Sequence, residues 1–86
     1  MPGSDTYYKR VAEDVSRDIA EQQRKSPRAF ALRRDLIDLY HSLPLHNTRA
    51  ELALRCVDYL NDLINEGRDM DPANEANLRC ALGVMR

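Results

Sequence analysis

Residues 48–67 read TRAELALRCVDYLNDLINEG and carry the clearest structural signal in the chain. At about 100° per residue, all but one of their large apolar side chains fall within an arc of roughly 160° on one side of a helix. The arc comprises Leu52, Ala53, Cys56, Val57, Tyr59, Leu60, Leu63 and Ile64. Thr48 and Glu51 fit a capping box, and Gly67 suits the left-handed conformation that ends many helices. The stretch therefore predicts an amphipathic helix over residues 49–66, whose apolar face other segments must cover.

Three further helices are predicted around this one. Residues 5–25 carry a narrow apolar stripe, whose width suits contact with one neighbouring helix. The stripe consists of Tyr8, Val11, Ala12, Val15 and Ile19. Ser26 and Pro27 end that helix and start a second one over residues 27–42, with Ser26 as its cap and Pro27 at the first helical position. Asp71 and Pro72 start the last helix, over residues 72–85, in the same way.

The second helix has a broad apolar face and is predicted to pack directly on the third. The connection between them, residues 43–47, is short, which favours neighbouring antiparallel helices. The sequence thus predicts an all-α fold, a small four-helix bundle with a central antiparallel helical hairpin formed by helices 2 and 3. The 86 residues suffice for a single domain, in which we expect residues 1–4 to be disordered.

Composition narrows the possible functions. The 13 basic and 14 acidic residues nearly cancel, so no global field attracts the chain to nucleic acid or to a membrane surface. No apolar run approaches the roughly 18 residues of a membrane span, and the start of the chain lacks the pattern of a secretory signal. Two cysteines outside a secretory context are expected to be reduced thiols. We therefore expect a cytoplasmic protein.

Residues that could support catalysis or metal binding are few. Cys56 lies in the middle of an apolar helix face, where a thiol behaves as a small hydrophobe rather than as a nucleophile. A zinc site needs ligands in closely spaced pairs, whereas Cys56 and Cys80 are 24 residues apart. His41 and His46 flank Pro44 and could meet only by chance. We therefore expect no catalytic residue, no metal site and no cofactor.

Charge is unevenly distributed along the chain, and this favours a binding function. A basic cluster with no acidic residue within it comprises Arg24, Lys25, Arg28, Arg33 and Arg34. Such a cluster at the junction of two helices can contact phosphates or an acidic protein. A carboxylate row at four-residue spacing, Asp58, Asp62 and Glu66, lies on the exposed side of the third helix. This row is either a solvated face or a docking surface for a basic partner.

The leading hypothesis is a small non-enzymatic helical module that binds another protein as an adaptor, inhibitor or regulator and forms a homodimer. The last helix is apolar on two sides, and a chain of this size covers only one of them. The predicted dimer interface comprises Ala73, Cys80 and Val84 of the last helix, with Tyr8, Val15 and Ile19 of the first.

The alternative hypothesis is a nucleic-acid-associated transcriptional regulator that uses the basic cluster at residues 24–34. A helix-turn-helix reader exposes polar and basic residues near the start of its recognition helix. The third helix exposes carboxylates instead, which DNA would repel. This alternative therefore depends on the basic cluster alone.

Overall fold

A computed structural model of the chain contains four α-helices, α1 (Pro2–Lys25), α2 (Pro27–Ser42), α3 (Thr48–Asn65) and α4 (Pro72–Leu82). It describes the backbone of residues 2–84 and the side chains from residue 7 to residue 84. Within these residues there is no strand, and α2 and α3 form the most extensive helix pair. The predicted all-α bundle with a hairpin of helices 2 and 3 is thereby confirmed.

The core lies mainly between α2 and α3. Helix α2 contributes Ala29, Leu32 and Leu36, which lie on one face and have no exposed surface. Helix α3 contributes a matching face centred on Ala53 and Leu60, which are also fully buried. The core is completed by Val57, Leu63, Ile64, Met70 and Leu82. The two apolar faces meet because a five-residue connection brings α3 back alongside α2.

One edge of the predicted apolar arc of α3 remains exposed. Leu52 and Tyr59 are 46% and 48% exposed, and Cys56 is half-buried. Ala50 is buried at the other edge, although the predicted arc did not include it. The expectation that the whole arc is covered was therefore wrong for Leu52 and Tyr59. Helix α2 covers one side of the arc, and α4 contacts the other side only sparsely.

The two ends of α3 show one wrong prediction and one confirmed prediction. The N-cap is Asn47, whose side-chain oxygen accepts hydrogen bonds from the backbone N–H groups of Arg49 at 2.8 Å and Ala50 at 3.3 Å. Thr48 is thus the first helical residue rather than the cap, because an Asn side chain one residue earlier already satisfies those donors. Gly67 ends the helix at φ 70° as predicted, and its N–H donates to the carbonyl of Ile64.

The start of α2 is capped by a distant residue rather than by Ser26. Ser26 is buried, and its hydroxyl donates to the Arg68 carbonyl at 2.6 Å instead of capping the helix. The Asp69 carboxylate accepts from the backbone N–H groups of Arg28 at 3.3 Å and Ala29 at 2.9 Å. The predicted Ser26 cap was therefore wrong, because the connection between α3 and α4 docks on this helix end and supplies the acceptor.

We expect Asp69→Ala to lower the free energy of unfolding by about 1 to 2 kcal/mol, because it removes both the cap and a negative charge at a helix N-terminus. Urea unfolding measures this change. Asp38→Ala is the matched control, since Asp38 is an exposed carboxylate further along the same helix. Its effect should stay within about 0.5 kcal/mol. Equal effects of the two variants would contradict the capping role of Asp69.

Helix α1 projects away from the rest of the molecule. Every residue from 7 to 21 is exposed, and the molecule measures 50 × 30 × 21 Å. Its radius of gyration is 15.8 Å, against about 12 Å for a compact chain of this length. Helix α1 begins at Pro2, three residues before the predicted start, while Met1 lies outside the described residues. The apolar stripe of α1 is therefore exposed, although α1 as a whole contacts α2 and α3.

Helix α4 is shorter than predicted. It ends at Leu82 because Gly83 takes the left-handed conformation at φ 71°, and the Val84 N–H donates back to the Arg79 carbonyl at 2.9 Å. Val84 therefore lies beyond the helix and packs, half-buried, against the core. Ala81 is exposed. Met85 lies outside the described residues.

Candidate interaction surfaces

Helix α1 presents the largest row of exposed apolar side chains. Tyr8, Val11, Val15 and Ile19 lie on one side of the helix and are between 41% and 69% exposed. The opposite side carries Lys9, Glu13, Arg17 and Glu21, which are all exposed. From Tyr8 to Ile19 the stripe is about 16 Å long, at 1.5 Å per residue. A partner packed on the stripe would also stabilise the helix, because most helical stability in proteins comes from tertiary packing of an amphipathic face.

The first two members of the basic cluster are paired within α1. Arg24 and Lys25 lie 2.8 Å and 3.3 Å from the carboxylate of Glu21. The hydrogen bond from Arg24 lowers the pKa of Glu21 and raises the pKa of Arg24. Both cations are exposed, so these pairs are solvent-screened and weak. The carboxylate of Glu21 nevertheless partly neutralises these two cations, and it lies outside the basic cluster at residues 24–34.

The arginines of α2 also have partners within the chain. Arg28 pairs with Glu75 at 3.2 Å, and the carboxylate of Asp35 lies 3.8 Å from Arg34. The guanidinium of Arg33 donates to the side-chain oxygen of Asn61 at 2.7 Å. It also lies 5.1 Å from the centre of the Phe30 ring. Each of these three arginines thus has a polar partner within the chain.

The predicted carboxylate row lies on the surface of α3. Asp58, Asp62 and Glu66 are all exposed. Glu66 pairs with Arg68 at 3.2 Å. Asp58 and Asp62 form no ion pair with any other residue that the structure describes. Of the three carboxylates, Glu66 is therefore the one with an ion-pair partner among the described residues.

A groove of about 380 Å³ separates α3 from α4. Its lining residues are Cys56, Tyr59, Asn74, Asn77 and Leu78. The sequence interpretation missed this groove, because it assigned Tyr59 to the core. The available signal was the width of the apolar arc, since an arc of roughly 160° exceeds what one neighbouring helix covers.

The predicted dimer interface residues lie on two separate parts of the molecule. Ala73 and Cys80 are exposed on α4, whereas Val84 is half-buried against the core. Tyr8, Val15 and Ile19 lie on α1. Within the described chain α1 and α4 do not contact each other. The two groups therefore do not form one continuous surface on a single chain.

The two cysteines differ in environment. Both are free thiols, with Cys56 half-buried and Cys80 exposed. Burial raises the pKa of the Cys56 thiol above its ordinary value, because the thiolate would lose hydration. This agrees with a structural rather than a nucleophilic role for Cys56.

We expect Cys80 to react with a thiol reagent at neutral pH at least about tenfold faster than Cys56, since Cys80 is exposed whereas Cys56 is half-buried, and burial raises the pKa of the Cys56 thiol and so depletes its reactive thiolate. Stopped-flow labelling of Cys56→Ser and Cys80→Ser isolates each thiol. In denaturant the two rates should converge. Faster native labelling of Cys56 than of Cys80 would contradict the burial of Cys56.

No group of three or more His, Cys, Asp or Glu side chains in the described part of the chain is placed to hold a metal ion. Over residues 2–84, none of the helices combines the length and the apolar character that crossing a bilayer requires.

No known protein family, curated protein or solved structure matches this chain.

Proposed function

We propose that the protein is a small non-enzymatic helical module that binds other proteins as an adaptor, inhibitor or regulator, and that it forms a homodimer through α1. The observation that carries this proposal is the apolar stripe of α1, which is exposed along its whole length. A row of apolar side chains on an otherwise charged helix is typical of a surface that packs against another helix. The two free thiols fit a cytoplasmic protein.

A second copy of α1 is the partner that best fits the stripe. Val11 and Ile19 lie four residues to either side of Val15. In an antiparallel pair with Val15 near the two-fold axis, Val11 of each copy lies level with Ile19 of the other. Ala12 and the two valines are small enough to let the helices approach closely. Val84 packs against its own core, so we assign the interface to α1 rather than to α4.

We expect light scattering coupled to gel filtration to give the mass of two chains at micromolar concentration. Val15→Glu should shift the mass to that of one chain, because burying an unpaired carboxylate in an apolar contact costs several kcal/mol. Ala20→Glu is the matched control, since it adds the same charge on the other side of the same helix at another exposed position.

Two results would contradict this assignment. A wild-type mass of one chain would exclude the homodimer at these concentrations. A Val15→Glu protein that keeps the mass of two chains would show that the dimer interface lies outside α1. In that case Cys80→Glu tests the α4 interface, since Cys80 is exposed on α4, and circular dichroism of each variant confirms that the helices are retained.

A further inference from the structure

A crevice of about 330 Å³ lies at the base of α1, where this helix passes the end of α3. Its lining residues include Asp18, Gln22 and Lys25 of α1 together with Ile64, Asn65 and Glu66. Ile64 is only 3% exposed, whereas Asn65 and Glu66 beside it are exposed. The crevice therefore offers a buried apolar side chain next to polar and charged groups.

The α1 side of this crevice continues one edge of the apolar stripe. Tyr7, Val11, Asp18, Gln22 and Lys25 follow one another at steps of four, seven, four and three residues, and such steps stay on one side of a helix. Tyr7 thus lies on the same edge as the crevice but near the other end of α1. It is 64% exposed, and at 1.5 Å per residue it lies about 22 Å along the helix from Gln22. Within one chain, Tyr7 does not reach the crevice.

The antiparallel α1 pair brings the two features together. With Val15 near the two-fold axis, Val11 lies level with Ile19 of the other copy, so Tyr7, four residues earlier, lies level with Gln23 of that copy. A two-fold axis between antiparallel helices also places the same edge of both helices on the same side of the pair. Tyr7 of each copy therefore lies beside the crevice of the other, next to Gln22.

Charge along α1 favours a second copy in this orientation. Residues 7–12 carry Lys9 and Arg10 and no acidic residue, whereas residues 18–23, which lie level with them in the antiparallel pair, carry two acidic residues and no basic one. Asp18 forms no ion pair with any other residue in the described part of the chain. A parallel pair would instead set each segment beside its own copy, where like charges repel each other.

We infer that the crevice at the base of α1 receives the side chain of Tyr7 from a second copy of the chain. A tyrosine suits this site, because its ring packs on an apolar group such as Ile64 while its hydroxyl bonds to polar groups such as Asn65 and Glu66. The inference rests on the proposed homodimer and deepens it, since it extends the interface from α1 to the body of the other copy. It also assigns a role to Tyr7, which lies outside the apolar stripe.

The contact is tested by cross-linking with a short bismaleimide in a Cys56→Ser/Cys80→Ser background. We expect Tyr7→Cys/Asn65→Cys to form covalent dimers at least about tenfold faster than Tyr7→Cys/Asp58→Cys. Asp58 is the matched control position, because it is exposed on the same helix as Asn65 but about 10 Å further from the crevice. A short reagent does not span the roughly 22 Å within one chain, so the link is intermolecular.

The dimer affinity gives a second test. Tyr7→Ala should raise the dimer Kd at least about tenfold in sedimentation equilibrium, even though alanine favours the helix. Tyr59→Ala is the matched control, since it makes the same truncation at a residue that is 48% exposed but lies outside the crevice. It should leave the dimer Kd unchanged.

The results separate this inference from homodimer formation. A wild-type mass of two chains overturns the inference alone if Tyr7→Cys/Asn65→Cys cross-links no faster than its control, or if Tyr7→Ala dimerises as tightly as the wild type. A wild-type mass of one chain overturns the homodimer and the inference with it. Circular dichroism identifies a cysteine variant that fails to fold, and the comparison of Tyr7→Ala with Tyr59→Ala then decides.

Discussion

Leu60→Ala is expected to lower the free energy of unfolding by about 2 to 5 kcal/mol. Leu60 has no exposed surface and lies at the centre of the contact between α2 and α3. Truncation there removes buried apolar area and leaves a cavity, because the surrounding leucines cannot close it fully. A domain of this size has a total stability of roughly 5 to 13 kcal/mol, so the loss is a large fraction of it.

Leu54→Ala is the control for this substitution. It removes the same atoms from the same helix at a position that is 42% exposed, and it should cost less than about 1 kcal/mol. Urea unfolding at one fixed protein concentration compares the two, since dimer formation makes the apparent stability depend on concentration. If Leu54→Ala lowered the free energy of unfolding as much as Leu60→Ala, the assignment of the buried and exposed sides of α3 would be incorrect.

Arg79→Met is the second substitution with a large expected effect, a loss of about 3 kcal/mol. The guanidinium of Arg79 donates to Asp35 at 2.8 Å and to the Val84 carbonyl at 3.2 Å. The Asp35 side chain is only 6% exposed, so removal of Arg79 leaves a buried carboxylate with less compensation. Arg34 lies 3.8 Å from the same carboxylate, which keeps the expected loss at the lower end of the range for broken buried pairs.

Arg55→Met measures the cost of losing an exposed arginine and should change the stability by less than about 0.5 kcal/mol. The double variant Asp35→Leu/Arg79→Met should recover much of the stability lost in Arg79→Met, because it removes the buried charge together with its partner. Equal stability of the Arg79→Met and Arg55→Met proteins would contradict a structural role for the pair of Arg79 with Asp35.

Local signals in the sequence account for the helices and their order. Pro27, Pro72 and Gly67 act through their own backbone geometry, so they mark helix boundaries whatever the fold around them. The periodicity of α2 and α3, together with their short connection, predicts the hairpin for the same local reason. The exposure of the carboxylate row and the narrowness of the α1 stripe also follow from the 3.6-residue period of the helix.

The candidate surfaces could be predicted only in part. The sequence pattern of α1 predicts an apolar stripe. It does not show that the helix projects from the rest of the bundle and that the stripe stays exposed. The groove was missed because Cys56 and Tyr59 share the period of the buried residues of α3. Periodicity shows which residues lie on one side of a helix, but not how much of that side a neighbour covers.

The sequence by itself therefore determined where helices form, because capping, proline and glycine geometry and apolar spacing act within a few residues. Only the tertiary structure decided which side chains become partners. Asp69 caps α2 from 40 residues away, and Arg79 turns inward to Asp35 across 44 residues. Such pairs depend on how the connections place whole helices against each other. Burial, ion pairing and exposed grooves depend on how the helices are placed against each other. A local sequence pattern does not specify this placement.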